Sequence, residues 1–120
     1  MELRNESSDN VKSVGEVKIL LPAGRLDAPS SEELKGVIEG LIGDGCRKMV
    51  ANFDRVEYIS SSGLRVMLAS LKQLRKIDGD LKLASLKPFV RETFEIAGFT
   101  QLFEIYDGEE EAVAEFDRRG

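Results

Sequence analysis

The chain has 120 residues, 42% of them hydrophobic and 32% charged, which suits one domain with a covered core and excludes both two ordinary domains and wholesale disorder. Its formal net charge of −5 argues against general binding to nucleic acid or to an anionic membrane, because both need a basic surface. No apolar run approaches the roughly 20 residues of a membrane span, and the polar N-terminus lacks a signal peptide's apolar core, so we expect a cytoplasmic protein.

Two strands are predicted near the start of the chain, after a lead-in at residues 1–10 that is expected to be flexible or to extend a sheet edge. Residues 11–14 suggest a weak strand, and residues 15–16 a turn. Apolar side chains recur at every second position of residues 17–21, which predicts a strand with one well-buried face. Residues 22–29 are rich in Pro and Gly and are predicted to link this strand to a helix.

The first helix is predicted from a stripe of apolar side chains at helical spacing. The stripe consists of Leu34, Val37, Ile38, Leu41 and Ile42. Ser30 and Glu33 have the spacing of a capping box, and Asp27 is a second candidate for the start signal. Gly43 and Gly45 are expected to end the helix.

Three further pairs of a strand and a helix are predicted along the rest of the chain. They are a strand at 49–53 with a helix at 62–77, a strand at 81–83 with a helix from Pro88 to Gly98, and a strand at 102–105 with a helix around 112–116. A stripe of phenylalanines is interpreted as core rather than as a ligand-binding surface. It consists of Phe89, Phe94, Phe99 and Phe103.

The predicted order is therefore β-β-α-β-α-β-α-β-α, within a single domain at residues 11–120. Alternating strands and helices predict an α/β fold with helices against the faces of a mostly parallel sheet, here of about five strands with four helices. The leading hairpin adds one antiparallel pair.

The missing residue types argue against an enzyme. The chain has no His, so it has neither an imidazole base nor a Ser-His-Asp triad. Cys46 is its one cysteine, which excludes an internal disulfide and a multi-cysteine metal site. The Cys46 thiol is interpreted as a small apolar group rather than a reactive one. A P-loop is absent, and we expect neither a metal nor a cofactor.

The stretch Ser60-Ser61-Ser62-Gly63, between a strand and the helix with the strongest sequence signal, is the candidate for function. A serine here can cap the helix by accepting from its free N–H groups. An exposed hydroxyl at the same position can instead take a phosphate, which the N–H donors and the helix dipole would stabilise. The residues by themselves leave both roles open.

A set of motifs in this order resembles the STAS domain of bacterial anti-sigma factor antagonists, over about residues 11–117. The motifs are Ala23-Gly24-Arg25-Leu26-Asp27, Ser61-Ser62-Gly63-Leu64, Ile77-Asp78-Gly79-Asp80-Leu81 and Phe94-Glu95-Ile96-Ala97-Gly98-Phe99. The resemblance implies a STAS-like fold.

The family's Asp-Ser-Ser-Gly motif falls on residues 60–63, and Ser60 stands where the family has Asp. The resemblance implies that Ser61 is the phosphorylated serine, with Ser62 as the second candidate. It also implies a partner surface that contains Asp27, for which capping the first helix is the alternative role. The other residues expected on that surface are Ser60, Ser61, Ser62, Gly63, Leu64 and Arg65. Two roles stay open for Arg65: contact with a phosphate or a partner, or a solvated surface charge.

The resemblance further implies a function. The unphosphorylated chain would bind an anti-sigma factor of the serine-kinase type and so release a sigma factor, and phosphorylation by that kinase, with its own ATP and Mg²⁺, would end the binding. A PP2C-type phosphatase would reset the switch, and the chain would be a monomer or a weak dimer. Two alternatives stay open: a non-switching STAS scaffold in a signalling assembly or a transporter accessory subunit, and a nucleotide- or anion-binding module.

Overall fold

The computed structural model describes residues 10–119, so the predicted lead-in lies outside the described residues except for Asn10. The strands are β1 (Val11–Val14), β2 (Val17–Leu20), β3 (Ala23–Leu26), β4 (Lys48–Asn52), β5 (Arg55–Ile59), β6 (Asp80–Ala84) and β7 (Ile105–Tyr106). The helices are α1 (Ala28–Gly43), α2 (Ser61–Arg75), α3 (Pro88–Ile96) and α4 (Glu109–Arg119), with a 3₁₀ turn at Phe99–Gln101. None of the described helices is long and apolar enough to cross a membrane.

The main sheet has five strands in the order β1-β2-β4-β6-β7. β1 and β2 form the predicted antiparallel hairpin, and the other neighbours are parallel. The predicted α/β fold class, with about five strands and four helices, is confirmed. The last strand, predicted at 102–105, is the two-residue strand β7, and the prediction is wrong for 102–104, where the chain turns and bends after the 3₁₀ turn before it pairs with β6.

The helices cover both faces of this sheet, which is why its central strands are buried. On one face α1, α2 and α3 enclose the larger core, to which they contribute Ile38, Met67, Leu71, Leu74, Val90 and Phe94. On the other face α4 packs Ala112, Val113 and Phe116 against Val17, Ile19, Val50 and Ala84.

Three of the four phenylalanines of the predicted stripe lie in the larger core. Phe94 is fully buried and makes edge-on contacts with Phe99 and Phe103, with ring centroids 6.2 and 5.9 Å away. The prediction is wrong for Phe89, whose side chain is 61% exposed. Phe89 directly follows Pro88 in the first turn of α3, while Val90 points inward.

A second, two-stranded parallel sheet pairs β3 with β5, and Leu26 lies opposite Ile59. The residues of β3 are predicted as part of a Pro- and Gly-rich link, and in the structure they form a strand. Gly24 has a φ of +78°, which favours glycine, and the register shifts between Gly24 and Arg25. α1 follows β3 and α2 follows β5, so this small sheet brings the starts of the two helices side by side.

Candidate functional site

The candidate site lies at the carboxyl ends of β3 and β5. Leu26 and Ile59 pair as the last residues of these strands, and the next residue on each is a helix N-cap: Asp27 for α1 and Ser60 for α2. The structure therefore brings together the two segments that the resemblance assigns to the partner surface. Two helix N-termini, each with free N–H groups and a positive dipole end, open at the same edge.

Ser60 holds the start of α2 against β3. Its hydroxyl donates to the carbonyl oxygen of Leu26 at 2.9 Å and accepts from the Gly63 N–H at 3.2 Å, and its own N–H also donates to Leu26. The side chain thus caps the helix from the position where the family has Asp. Because both hydrogen-bonding roles of its hydroxyl are in use, Ser60 is poorly placed to accept a phosphate.

Ser61 is the first residue of α2, and it is exposed. Its hydroxyl makes no hydrogen bond in the described part of the chain. The first turn of α2 contains no acidic side chain, so a phosphate on Ser61 would meet the positive end of the helix dipole without a neighbouring carboxylate in that turn. Of the two candidate serines, Ser61 is the more accessible, because Ser62 is half-buried beside α1.

Gly63 allows α2 to approach β3 and β5 closely. A Cβ at this position would lie 2.6 Å from Cγ1 of Ile59, which is too near, and 3.1 Å from the carbonyl oxygen of Leu26, which is a tight contact. The following residue, Leu64, is partly buried and packs against the larger core. The glycine of the motif therefore has a packing role that fixes the backbone on which Ser61 sits.

Asp27 caps α1 through a reciprocal pair with Ser30. Oδ1 of Asp27 accepts from the N–H of Ser30 at 3.4 Å and from its hydroxyl at 2.9 Å, and this hydroxyl accepts from the Asp27 N–H at 3.0 Å. The predicted capping box of Ser30 with Glu33 is therefore wrong, because the helix begins three residues earlier and Ser30 occupies the N3 position. The hydrogen bonds from the side chain and backbone of Ser30 lower the pKa of the Asp27 carboxyl below its ordinary value of 3.8.

This lowered pKa predicts an acid-sensitive cap. A carboxyl whose pKa is lower in the folded state adds stability at pH values above 3.8, and the contribution is lost as the pH falls through the folded-state pKa. Asp27→Ala is expected to destabilise the chain at pH 7 and to differ less from wild type at about pH 2. Urea unfolding at both pH values measures this.

Glu33→Ala is the matched control, because Glu33 lies on the same helix but its exposed carboxylate makes no hydrogen bond or ion pair in the described part of the chain. At pH 7 it is expected to lower the free energy of unfolding by less than Asp27→Ala does. An Asp27→Ala chain with the pH dependence of wild type would contradict the assignment.

A groove of about 330 Å³ runs between α1 and α2 from Ser62. Arg65 is exposed and lines this groove together with Glu32, Lys35 and Glu39. In the described residues its guanidinium makes no hydrogen bond, to Ser61 or to any other group. Arg65 is thus free to meet a partner along the groove.

Arg25 and Tyr58 lie close to the two N-caps, and neither is among the predicted site residues. They are neighbours across β3 and β5, and the Arg25 guanidinium lies 4.2 Å from the centre of the Tyr58 ring. Each lies two residues before an N-cap. The sequence does not indicate this contact, because the two residues are 33 positions apart and only the pairing of β3 with β5 brings them together.

Cys46 has the predicted apolar character. It is half-buried against the larger core, and its thiol donates to the carbonyl of Lys48 at 3.4 Å. Burial raises the pKa of the thiol, which disfavours the reactive thiolate. Among the described residues no group of acidic or cysteine side chains is arranged to hold a metal ion.

Three comparisons with known proteins agree on one family. The model of the STAS domain matches residues 9–112 of the chain. BtrV of Bordetella bronchiseptica, which carries the name of an anti-sigma factor antagonist, is 42% identical over 93 residues that cover 78% of this chain and 80% of BtrV. The anti-sigma-B factor antagonist of Staphylococcus aureus is 32% identical over 95 residues, which cover 79% of this chain and 85% of that protein.

The same fold occurs in the anti-sigma factor antagonist SpoIIAA, a cell fate determinant of Bacillus. Its unphosphorylated form has a TM-score of 0.80 to this structure, with 25% identity, over 89% of this chain and 94% of SpoIIAA. Its phosphorylated form has a TM-score of 0.72 over 88% and 96% of the two chains, with the same identity.

Proposed function

The chain belongs to the STAS domain family, and from this membership we propose that it is an anti-sigma factor antagonist controlled by phosphorylation of Ser61. The unphosphorylated chain binds an anti-sigma factor of the serine-kinase type in the cytoplasm and so releases a sigma factor. It acts as a binding protein and as the substrate of its partner, not as an enzyme, and needs no cofactor of its own.

The observation that carries this proposal is the free, exposed hydroxyl of Ser61 at the start of α2, beside the N-cap of α1. A kinase can reach this hydroxyl without unfolding the chain. Ser62 and Arg65, which follow it in α2, line the groove between α1 and α2.

Phosphorylation would end the binding through charge. A phosphate adds about −1.5 to −2 charges and a tightly held hydration shell in the centre of the contact. Burying an unpaired charge costs several kcal/mol, and about 2.7 kcal/mol already weakens affinity a hundredfold. A PP2C-type phosphatase would restore the binding form by removing the phosphate.

Phosphosite mapping tests the proposal. The purified chain is incubated with ATP, Mg²⁺ and each serine-kinase-type anti-sigma factor of the source cell, and the product is analysed by intact and tandem mass spectrometry. We expect one phosphate, on Ser61, in the wild type and none in Ser61→Ala.

Ser62→Ala is the matched control, since it removes the neighbouring hydroxyl, and it is expected to be phosphorylated like the wild type. A phosphate on Ser62 alone, or on a serine remote from α2, would assign the switch to another residue. No transfer by any kinase would leave the scaffold as the better hypothesis, and tight nucleotide binding without transfer would favour the nucleotide-binding module.

A further inference from the structure

A second cavity, of about 460 Å³, lies at the end of the main sheet where β4 and β6 begin. The residues that line it include Arg47, Arg75, Asp80, Lys82, Glu104 and Phe116. Its volume is within the range of about 300–1,000 Å³ that small-molecule sites occupy. Ser61 is at the opposite end of α2 from Arg75, so this cavity is distinct from the candidate partner surface.

Lys82 is the unusual residue of this cavity, because its side chain is fully buried. It lies in the middle of β6, on the sheet face otherwise covered by the apolar packing of α4. Its Nζ donates to Asp80 at 3.0 Å and to Glu104 at 2.6 Å, and it lies 4.5 Å from the centre of the Phe116 ring. Replacing a buried ion pair by apolar side chains is often neutral or stabilising. Stability alone therefore does not account for a lysine here.

The two carboxylates beside Lys82 are already neutralised. Asp80 also accepts from Nε of Arg75 at 3.1 Å, so Lys82 and Arg75 together balance Asp80 and Glu104. The whole lining contains four cationic side chains and three carboxylates, and one of the cations, Lys48, pairs with Glu16 outside the cavity at 3.4 Å.

Two guanidiniums of the lining keep free donors. In the described part of the chain Arg47 uses only Nη1, in a bond to the carbonyl of Cys46, and Arg75 uses Nε and Nη2 but not Nη1. Gly79, also in the lining, packs closely on the backbone of Arg47, where any Cβ would overlap the Arg47 carbonyl oxygen. Guanidinium donors are well suited to phosphate and carboxylate oxygens.

We propose that this cavity binds the anionic group of a small molecule, a phosphate or a carboxylate, through Arg47 and Arg75. Lys82 and Arg75 together balance the charges of Asp80 and Glu104, so that these carboxylates repel the anion less. Occupation of the cavity does not depend on the switch at Ser61, and the two can be tested separately.

The test is a titration of the ¹⁵N-labelled full chain, followed by amide chemical shifts in NMR spectra. The probes are inorganic phosphate, glucose 6-phosphate and citrate, each added at constant ionic strength against sodium chloride. At least one probe is expected to give saturable shifts confined to the amides around Arg47, Gly79 and Asp80. The same probe is expected to bind at least tenfold more weakly to Arg47→Gln, in which the exposed guanidinium is lost.

Arg55→Gln is the matched control, because it removes the same charge from an exposed position on β5. It is expected to bind as the wild type does. Saturation by phosphate and glucose 6-phosphate alone would identify a phosphoryl ligand, and saturation by citrate alone a carboxylate ligand. Shifts that do not saturate with any probe, or equal affinity in wild type and Arg47→Gln, would overturn the proposal, whatever the result of phosphosite mapping.

Discussion

Ser61→Asp is expected to bind the anti-sigma factor kinase about a hundredfold more weakly than Ser61→Ala does. The position is exposed, so each side chain fits the free chain without strain. In the complex the two differ, since Asp would place an unpaired carboxylate in the dry centre of the contact, while Ala removes only a hydroxyl. Negative charge at the start of α2 also favours the helix itself, so the loss is expected in binding and not in folding.

Isothermal titration calorimetry of the two variants against the same kinase measures the difference, with circular dichroism as the check on folding. Ser13→Asp is the matched control, because Ser13 is exposed on the edge strand β1, away from the candidate surface. It is expected to bind like the wild type. Equal affinity of Ser61→Ala and Ser61→Asp would contradict the switch.

Gly63→Ala is expected to lower the free energy of unfolding by about 1–3 kcal/mol, the usual range for an overpacked site. The added methyl would lie 2.6 Å from the Ile59 side chain and 3.1 Å from the Leu26 carbonyl, and the latter is backbone held in the small sheet. α2 must therefore move away from β3, which also strains the hydrogen bonds of Ser60. Urea unfolding measures the loss.

Gly40→Ala is the matched control within a helix. Gly40 lies in α1, and a Cβ there would have no atom within 4 Å. Ala has the higher helix propensity, so this change is expected to stabilise the chain by up to about 1 kcal/mol. Gly63→Ala with a stability equal to or above that of wild type would show that α2 does not need this close approach.

The elements that were predictable from the sequence are those whose side chains repeat with a clear period. The apolar stripes of α1 and α2 face the larger core, and β4 is covered on both faces of the sheet. Such regular patterns of apolar residues are what burial requires of a helix or a strand. The first residue of α1 was not predictable from the sequence, because Asp27 and Ser30 both carry capping side chains. Only the backbone conformation decides which of them is the N-cap.

The small sheet and the second cavity depend on distant pairings, which no local pattern records. β3 contains Gly24 and lies between Pro22 and Pro29, and its pairing with β5 joins residues more than 30 positions apart. In β6 the alternation of Leu81, Lys82 and Leu83 fits a strand with one solvated face. Because α4 covers that second face, Lys82 is buried instead.

For the candidate site, the sequence supplied the three serines and the family resemblance selected Ser61. The structure shows that the three serines differ in their surroundings: Ser60 caps α2, Ser62 is half-buried, and Ser61 is exposed. Whether Ser61 accepts a phosphate stays a prediction.

The anchoring of the backbone on both sides of Ser61 has a consequence for timing. Ser60 is tied to Leu26, and Gly63 is wedged against Ile59 and Leu26, so the modified and unmodified chains would share one scaffold. Neither phosphorylation nor dephosphorylation would then require a slow conformational change. The lifetime of each signalling state would then be set by how often kinase and phosphatase meet the chain, and thus by the abundance of those two enzymes.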